Sequence, residues 1–215
     1  MLVGERMTKP VVHVSPDMAI QDALQLMRKE NIRRTPVLDK GNLVGIVSDK
    51  DLLNASPSQA TSLSVWELNY LLSKITVLEV MTKTVIVVTE ETPIEEAARI
   101  MADNKIGGLP VVNGSSVVGI ITETDIFHLM LELTGAREDG TRATFLLADK
   151  PGELAKVTNA VAEKNGNVIA VGTFFGDDNK TREVMMKVGG IGETDFQKIL
   201  EEYAVEIKDI RVCCD

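Results

Sequence analysis

Aromatic residues make up only 4% of the 215-residue chain, so its cores must be built from Val, Ile, Leu and Met. No apolar run approaches the ~20 residues that a membrane span requires, which predicts no membrane partner. Cysteine is nearly absent. The two present, Cys213 and Cys214, are adjacent, a spacing that suits neither a metal site nor a disulfide scaffold. The opening residues carry Glu5, Arg6 and Lys9 and no apolar stretch, so no secretion signal is expected. A reduced, cytoplasmic protein follows, in which the glycosylation sequons at Asn54, Asn113 and Asn179 are chance matches. Positive charge is also short: 23 Lys and Arg face 32 Asp and Glu, a net charge of −9. That argues against nucleic acid or anionic lipid as a partner, though not against a local basic pocket for a small anion.

What is present is ordinary globular material, 44% hydrophobic and 26% charged, in a chain long enough for two or three small domains. Its organisation comes from an internal repeat. A shift of 74 positions lays Met7–Leu53 onto Met81–Phe127 without a gap, with 15 identities among 47 pairs. These include Met7/Met81, Thr8/Thr82, Lys9/Lys83, Pro36/Pro110, Gly45/Gly119 and Asp51/Asp125.

Each copy reads as strand, helix, strand, strand, helix. Val11, Val12 and Val14 lead to the turn signal Ser15-Pro16, and Ile20, Ala23, Leu24 and Met27 then recur at helical spacing. Asp39-Lys40-Gly41-Asn42 is a hairpin turn between Pro36–Leu38 and the buried strand Leu43–Val47. The last helix starts at Ser48 or Thr122. Such a unit leaves one apolar sheet face uncovered, so the two copies should pack together. Between them, Ser64 and Glu67 are spaced as a capping box, with Trp66, Tyr70 and Leu71 as packing residues of a helical connector.

Gly45–Leu53 and Gly119–Phe127, each preceded by a Pro-Val strand and a Met-Thr-Lys start, resemble tandem CBS domains, the Bateman module. The expected division is repeat 1 over residues 1–57, a connector over 58–74 and repeat 2 over 75–134. After a linker at 135–140, residues 141–215 read as strand, helix, strand, strand, helix, strand, the ferredoxin-like βαββαβ order. Here Asn165-Gly166 is expected to close the first helix through a left-handed glycine. Asp149-Lys150-Pro151-Gly152-Glu153-Leu154 and the later Asn165–Ile169 segment resemble an ACT domain. The expected fold class is therefore α+β, a Bateman module with a C-terminal ACT domain, an arrangement similar to the AcuB-like acetoin-utilisation family.

The sharpest candidate residues are Ser48 with Asp51 and Thr122 with Asp125. A carboxylate can accept both hydroxyl protons of a ribose, while a hydroxyl beside free N–H groups can hold a phosphate. The same spacing is also a helix-capping pattern, and both readings stand. The resemblance implies a nucleotide between the copies, with Asp51 working beside Thr84, Val85 and Ile86, and Asp125 beside Pro10, Val11 and Val12. Arg33-Arg34 becomes Gly107-Gly108 in the second copy. The arginines suit either a phosphate or a solvated corner, and their asymmetry implies two unequal sites. In the last domain Asp149, Gly152, Glu153, Leu154, Asn167 and Val168 match the region where ACT domains bind amino acids. Alternatively, Asp149 favours a helix start and Asn167 shapes a turn.

Catalysis finds no support. His13 stands where the second copy has Val87, and His128 has no Cys, Ser or Asp partner in a known arrangement. The expectation is a non-enzymatic regulator needing no cofactor. It would bind AMP, ADP, ATP or S-adenosylmethionine as a regulatory ligand, form a homodimer and act on a regulated partner protein. The alternative is a structural dimerisation module with vestigial pockets.

Overall fold

A computed structural model describes residues 1–55, 74–176 and 180–213. The connector residues Ser64, Trp66, Glu67, Tyr70 and Leu71, together with Cys214, lie outside the described residues. The chain divides into two compact units, Met1–Ile126 and Phe127–Asp215. Among the described residues no helix is long and apolar enough to cross a membrane.

In the first unit each repeat opens with a single helical turn, α1 (Val3–Arg6) in one copy and α4 (Val77–Val80) in the other. An extended segment follows, then α2 (Ile20–Lys29) or α5 (Ile94–Asn104). The hairpins β1–β2 (Arg34–Asp39, Asn42–Ser48) and β3–β4 (Gly108–Asn113, Ser116–Thr122) come next. The repeats close with α3 (Asp49–Asn54) and α6 (Glu123–Leu133). The helical stripe is as the spacing predicts: Ile20, Ala23 and Met27 are buried in α2, and Ile94, Ala97 and Met101 in α5. In the first hairpin Lys40 and Gly41 both take positive φ, which matches the right-handed twist of the strands they join.

The opening strand of each repeat is reduced. Val14 bridges Val37 in parallel, and Val88 bridges Val111, but neither bridge extends into a ladder. The Val14 N–H donates to the Pro36 carbonyl and the Val14 carbonyl accepts from the Leu38 N–H; Val88 repeats this with Pro110 and Val112. Each segment thus meets its hairpin through one residue's backbone bonds and not through a ladder.

The repeats interlock. Thr82 exchanges two backbone hydrogen bonds with Ile46 of the first copy, and Thr8 exchanges two with Ile120 of the second. Val77 and Met81 consequently belong to the buried cluster of the first repeat, with Val14, Ile20, Met27 and Leu52. Gly45 and Gly119 are required by this exchange. A Cβ at Gly45 would collide with the Met81 side chain and come within 3.1 Å of the Thr82 carbonyl, and Gly119 stands in the same relation to Met7 and Thr8.

The second unit runs β5 (Gly140–Ala148), α7 (Glu153–Glu163), β6 (Asn167–Phe175), β7 (Thr181–Gly189), α8 (Glu193–Tyr203) and β8 (Glu206–Cys213). Its four-stranded antiparallel sheet has the order β6-β7-β5-β8, the ferredoxin-like arrangement. Alternation in β5 buries Ala143, Phe145 and Leu147 against Val157 and Val161 of α7 and Phe196, Ile199 and Leu200 of α8. On the opposite face Lys187 is buried and donates to the Gly135 carbonyl at 2.8 Å.

One local expectation is corrected. The left-handed residue that ends α7 is Asn165, with φ 58°, and not Gly166. Asparagine tolerates this region through its short polar side chain. Gly166 serves a close approach instead, because a Cβ there would lie 2.8 Å from Val161 Cγ1 and 3.0 Å from the Val161 carbonyl. Gly166→Ala should therefore destabilise the second unit by about 1–3 kcal/mol through overpacking. Thermal denaturation checks this, and an unchanged midpoint would reject the close-approach account.

Candidate functional site

Two cavities flank the interlocked hairpins of the first unit. Ser48 caps α3, and its backbone N–H and Oγ both donate to Asp51 Oδ2, at 2.8 and 2.7 Å. Thr122 and Asp125 repeat the arrangement with the same two distances. The full capping box is realised at Ser48 and Asp51, and its carboxylate half at Thr122 and Asp125. Each arrangement commits one carboxylate oxygen only: Oδ1 of each Asp accepts no hydrogen bond among the described residues. Capping and ligand contact are therefore compatible at one side chain.

The first cavity, of about 530 Å³, gathers Ser48, Asp51, Thr84, Val85, Ile86, Arg33 and Arg34 around one space. Of these, Asp51, Thr84, Val85 and Ile86 are the residues that the resemblance to CBS domains sets around one nucleotide. The second, of about 590 Å³, is lined by Thr122, Asp125, Arg33 and Arg34, with Thr8 and Ile120 beside them. Pro10, Val11 and Val12, expected to wall that site, are absent from its lining. The two clefts therefore differ in their apolar walls, while both are lined by the same arginine pair, so the Arg-to-Gly difference between the copies does not assign the arginines to one cleft.

Sequence reasoning missed Lys50 and Lys105 in the first cavity and Arg28 in the second. It also missed Asp49 and Glu123, which line both. The acidic pair could have been found, since the 74-residue shift superposes one on the other. Lys105 had no comparable signal. It ends α5 in the left-handed region, with φ 54°, a position usually given to Gly or Asn.

Arg34 is the electrostatic centre of the unit. Its side chain is only 24% exposed and stands 3.9 Å from Glu123. Burial pushes its guanidinium below the ordinary arginine value, Glu123 opposes this, and neighbouring Arg33 lowers it further. Arginine nevertheless stays charged at any physiological pH. Arg33 reaches Thr124 Oγ1 at 3.5 Å.

In the second unit the expected amino-acid residues do not converge. Asp149, Glu153 and Leu154 line a cavity of about 320 Å³ with Lys150, Thr173 and Arg182. Asp149 accepts from Arg182 Nε at 3.1 Å, and Arg182 also lies over the Phe175 ring. Gly152 precedes α7 with φ 89°. Asn167 and Val168, by contrast, pair with Gly189 and Val188, while Ala148 pairs with Thr181 at the other end of β7. Eight residues of strand separate the two groups, on the order of 25 Å. His13 and His128 are both exposed.

Residues 3–58 and 77–132 match the CBS domain, and residues 139–211 match the TTHA0829-like ACT domain. CBS domain-containing protein YhcV of Bacillus subtilis is 30% identical over 124 residues, covering 58% of this chain and 81% of its own length. Two longer relatives from Methanocaldococcus jannaschii are spanned only to 23% and 45% of their lengths. Among solved structures, the CBS domain pair of protein MJ0100 in complex with 5′-methylthioadenosine and S-adenosyl-L-methionine is 32% identical, with a TM-score of 0.51. It covers 60% of this chain and 95% of that one. A protein from Vibrio cholerae named for acetoin utilization, AcuB, is also 32% identical, with a TM-score of 0.53, covering 64% of this chain and 96% of its own. With both repeats matched, over more than half of its length, this chain belongs to the CBS-domain family and carries an ACT-like domain behind its CBS pair.

Proposed function

We propose that this protein is a ligand-responsive regulator that binds an adenosine-containing compound in the Asp51 cleft. The observation that carries this reading is the meeting of three features in one cavity: Asp51 with a spare carboxylate oxygen, the Thr84–Ile86 segment, and the Arg33-Arg34 pair. The volume of about 530 Å³ suits a nucleotide. The exposed Ile86 offers an apolar wall for a base. The MJ0100 pair, of similar fold, has been crystallised with two adenosine derivatives, which supports the ligand class. Binding would be read out by differential affinity for two packings of the repeats, passed to a second copy in a homodimer or to a regulated partner protein. The Asp125 cleft is the secondary site. At the ACT-like domain, an amino acid would use the Asp149–Leu154 end of the sheet, where Arg182 supplies a cation for its carboxylate.

Adenosine, AMP, ATP and S-adenosylmethionine should each be titrated calorimetrically, with product analysis after incubation. Saturation at about 100 times Kd should raise stability by roughly 2.7 kcal/mol, visible as a thermal shift. Absence of binding by all four would overturn the proposal in favour of a dimerisation module with vestigial pockets. Turnover would make the protein an enzyme.

A further inference from the structure

The two cavities are not independent. Arg33, Arg34, Asp49, Gly107 and Glu123 line both of them. Each cleft owns a hydroxyl and a carboxylate, Ser48 with Asp51 or Thr122 with Asp125, so the adenosine-facing groups are duplicated. The arginines are not. At the equivalent positions the second repeat has Gly107 and Gly108, and the first repeat's Arg34 occupies the space beside them. A Cβ at Gly107 would collide with the Arg34 guanidinium, and one at Gly108 would lie 2.8 Å from Arg34 Cδ. There is room for one arginine pair where symmetry would call for two.

That pair is encoded in the first repeat but reaches the second, through Arg34 to Glu123 at 3.9 Å and Arg33 to Thr124 at 3.5 Å. It therefore stands between the two clefts, with Asp49 and Glu123 limiting its net charge. Outside the shared pair, Lys50 and Lys105 serve the first cavity and Arg28 the second. We propose that the clefts share one phosphate-binding arginine pair, so that the CBS pair holds a single polyphosphate nucleotide at a time but two uncharged adenosines. This rests on the adenosine-binding reading above. A triphosphate in the first cleft would engage both guanidinium groups, and a second one would meet its charge with only Arg28 in compensation.

The test is the number of ligands bound per chain, by calorimetry on the full-length protein. The expected result is one ATP and two adenosines, with protein saturated by ATP still accepting one adenosine. Arg33→Gln and Arg34→Gln should each weaken ATP at least tenfold more than adenosine. Two ATP per chain of similar affinity would overturn the sharing while leaving the adenosine reading intact. A single adenosine per chain, or equal losses of ATP and adenosine in the variants, would also overturn it. Failure of both ligands to bind overturns the adenosine reading itself, and this inference with it.

Discussion

Asp51→Asn should weaken adenosine binding in the first cleft tenfold to a hundredfold while leaving the melting temperature nearly unchanged. The prediction separates the two roles of one side chain. In the cap, Asp51 Oδ2 accepts from the Ser48 N–H and Oγ. An asparagine oxygen can accept both of these bonds, so α3 keeps its start. The amide nitrogen that replaces Oδ1 is a donor, however, and cannot receive a ribose hydroxyl proton. Losing a hydrogen bond to a charged group costs about 1.5–3 kcal/mol, which is the expected loss of affinity. Asp51→Ala should show the same binding defect with up to about 1 kcal/mol of stability lost as well, because the carboxylate half of the capping box is gone while Ser48 stays in place. Calorimetry and thermal denaturation of both variants decide the matter. Unchanged affinity in Asp51→Asn would reduce Asp51 to a cap.

The largest effect on folding is expected from Val77→Asp, a substitution in the second repeat that should unfold the first. Val77 is fully buried, its N–H donates to the Met18 carbonyl, and it packs in the cluster of Val14, Ile20 and Leu52. A carboxylate there has no partner and is excluded from water, a combination that costs on the order of 4 kcal/mol or more. That is a large share of the 5–15 kcal/mol typical of a whole domain. Leu78→Asp, one position on and 46% exposed, should stay within about 0.5 kcal/mol. Urea denaturation followed by circular dichroism measures both. Equal midpoints for the two variants would contradict the interlocked core.

The elements were legible because their signals are local. The stripe of Ile20, Ala23 and Met27, the Lys40-Gly41 turn and the alternation in β5 each depend on residues a few positions apart. The duplication was legible too, and with it the pairing of each hydroxyl with its aspartate, since four consecutive residues hold both. The opening strands were overread: Val11–Val14 has strand composition, but composition does not say how many neighbours a segment finds. Gly166 was misread for a related reason, since a glycine needed for backbone freedom and one needed for a close approach look alike in sequence.

Sequence alone determined the repeat, the α+β class, the two Asp-bearing motifs and the charge asymmetry between the copies. Only the tertiary structure decided which copy completes which. Both lead-in segments carry the same Met-Thr-Lys start, so either could have covered its own repeat. The choice was made by the Gly45 and Gly119 surfaces, against which the other copy's methionine packs. The tertiary structure likewise brought Arg33 and Arg34 between two clefts and set Asn167 at the far end of the sheet from Asp149. Distances of that kind depend on strand pairing between segments remote in sequence, and no local spacing encodes them.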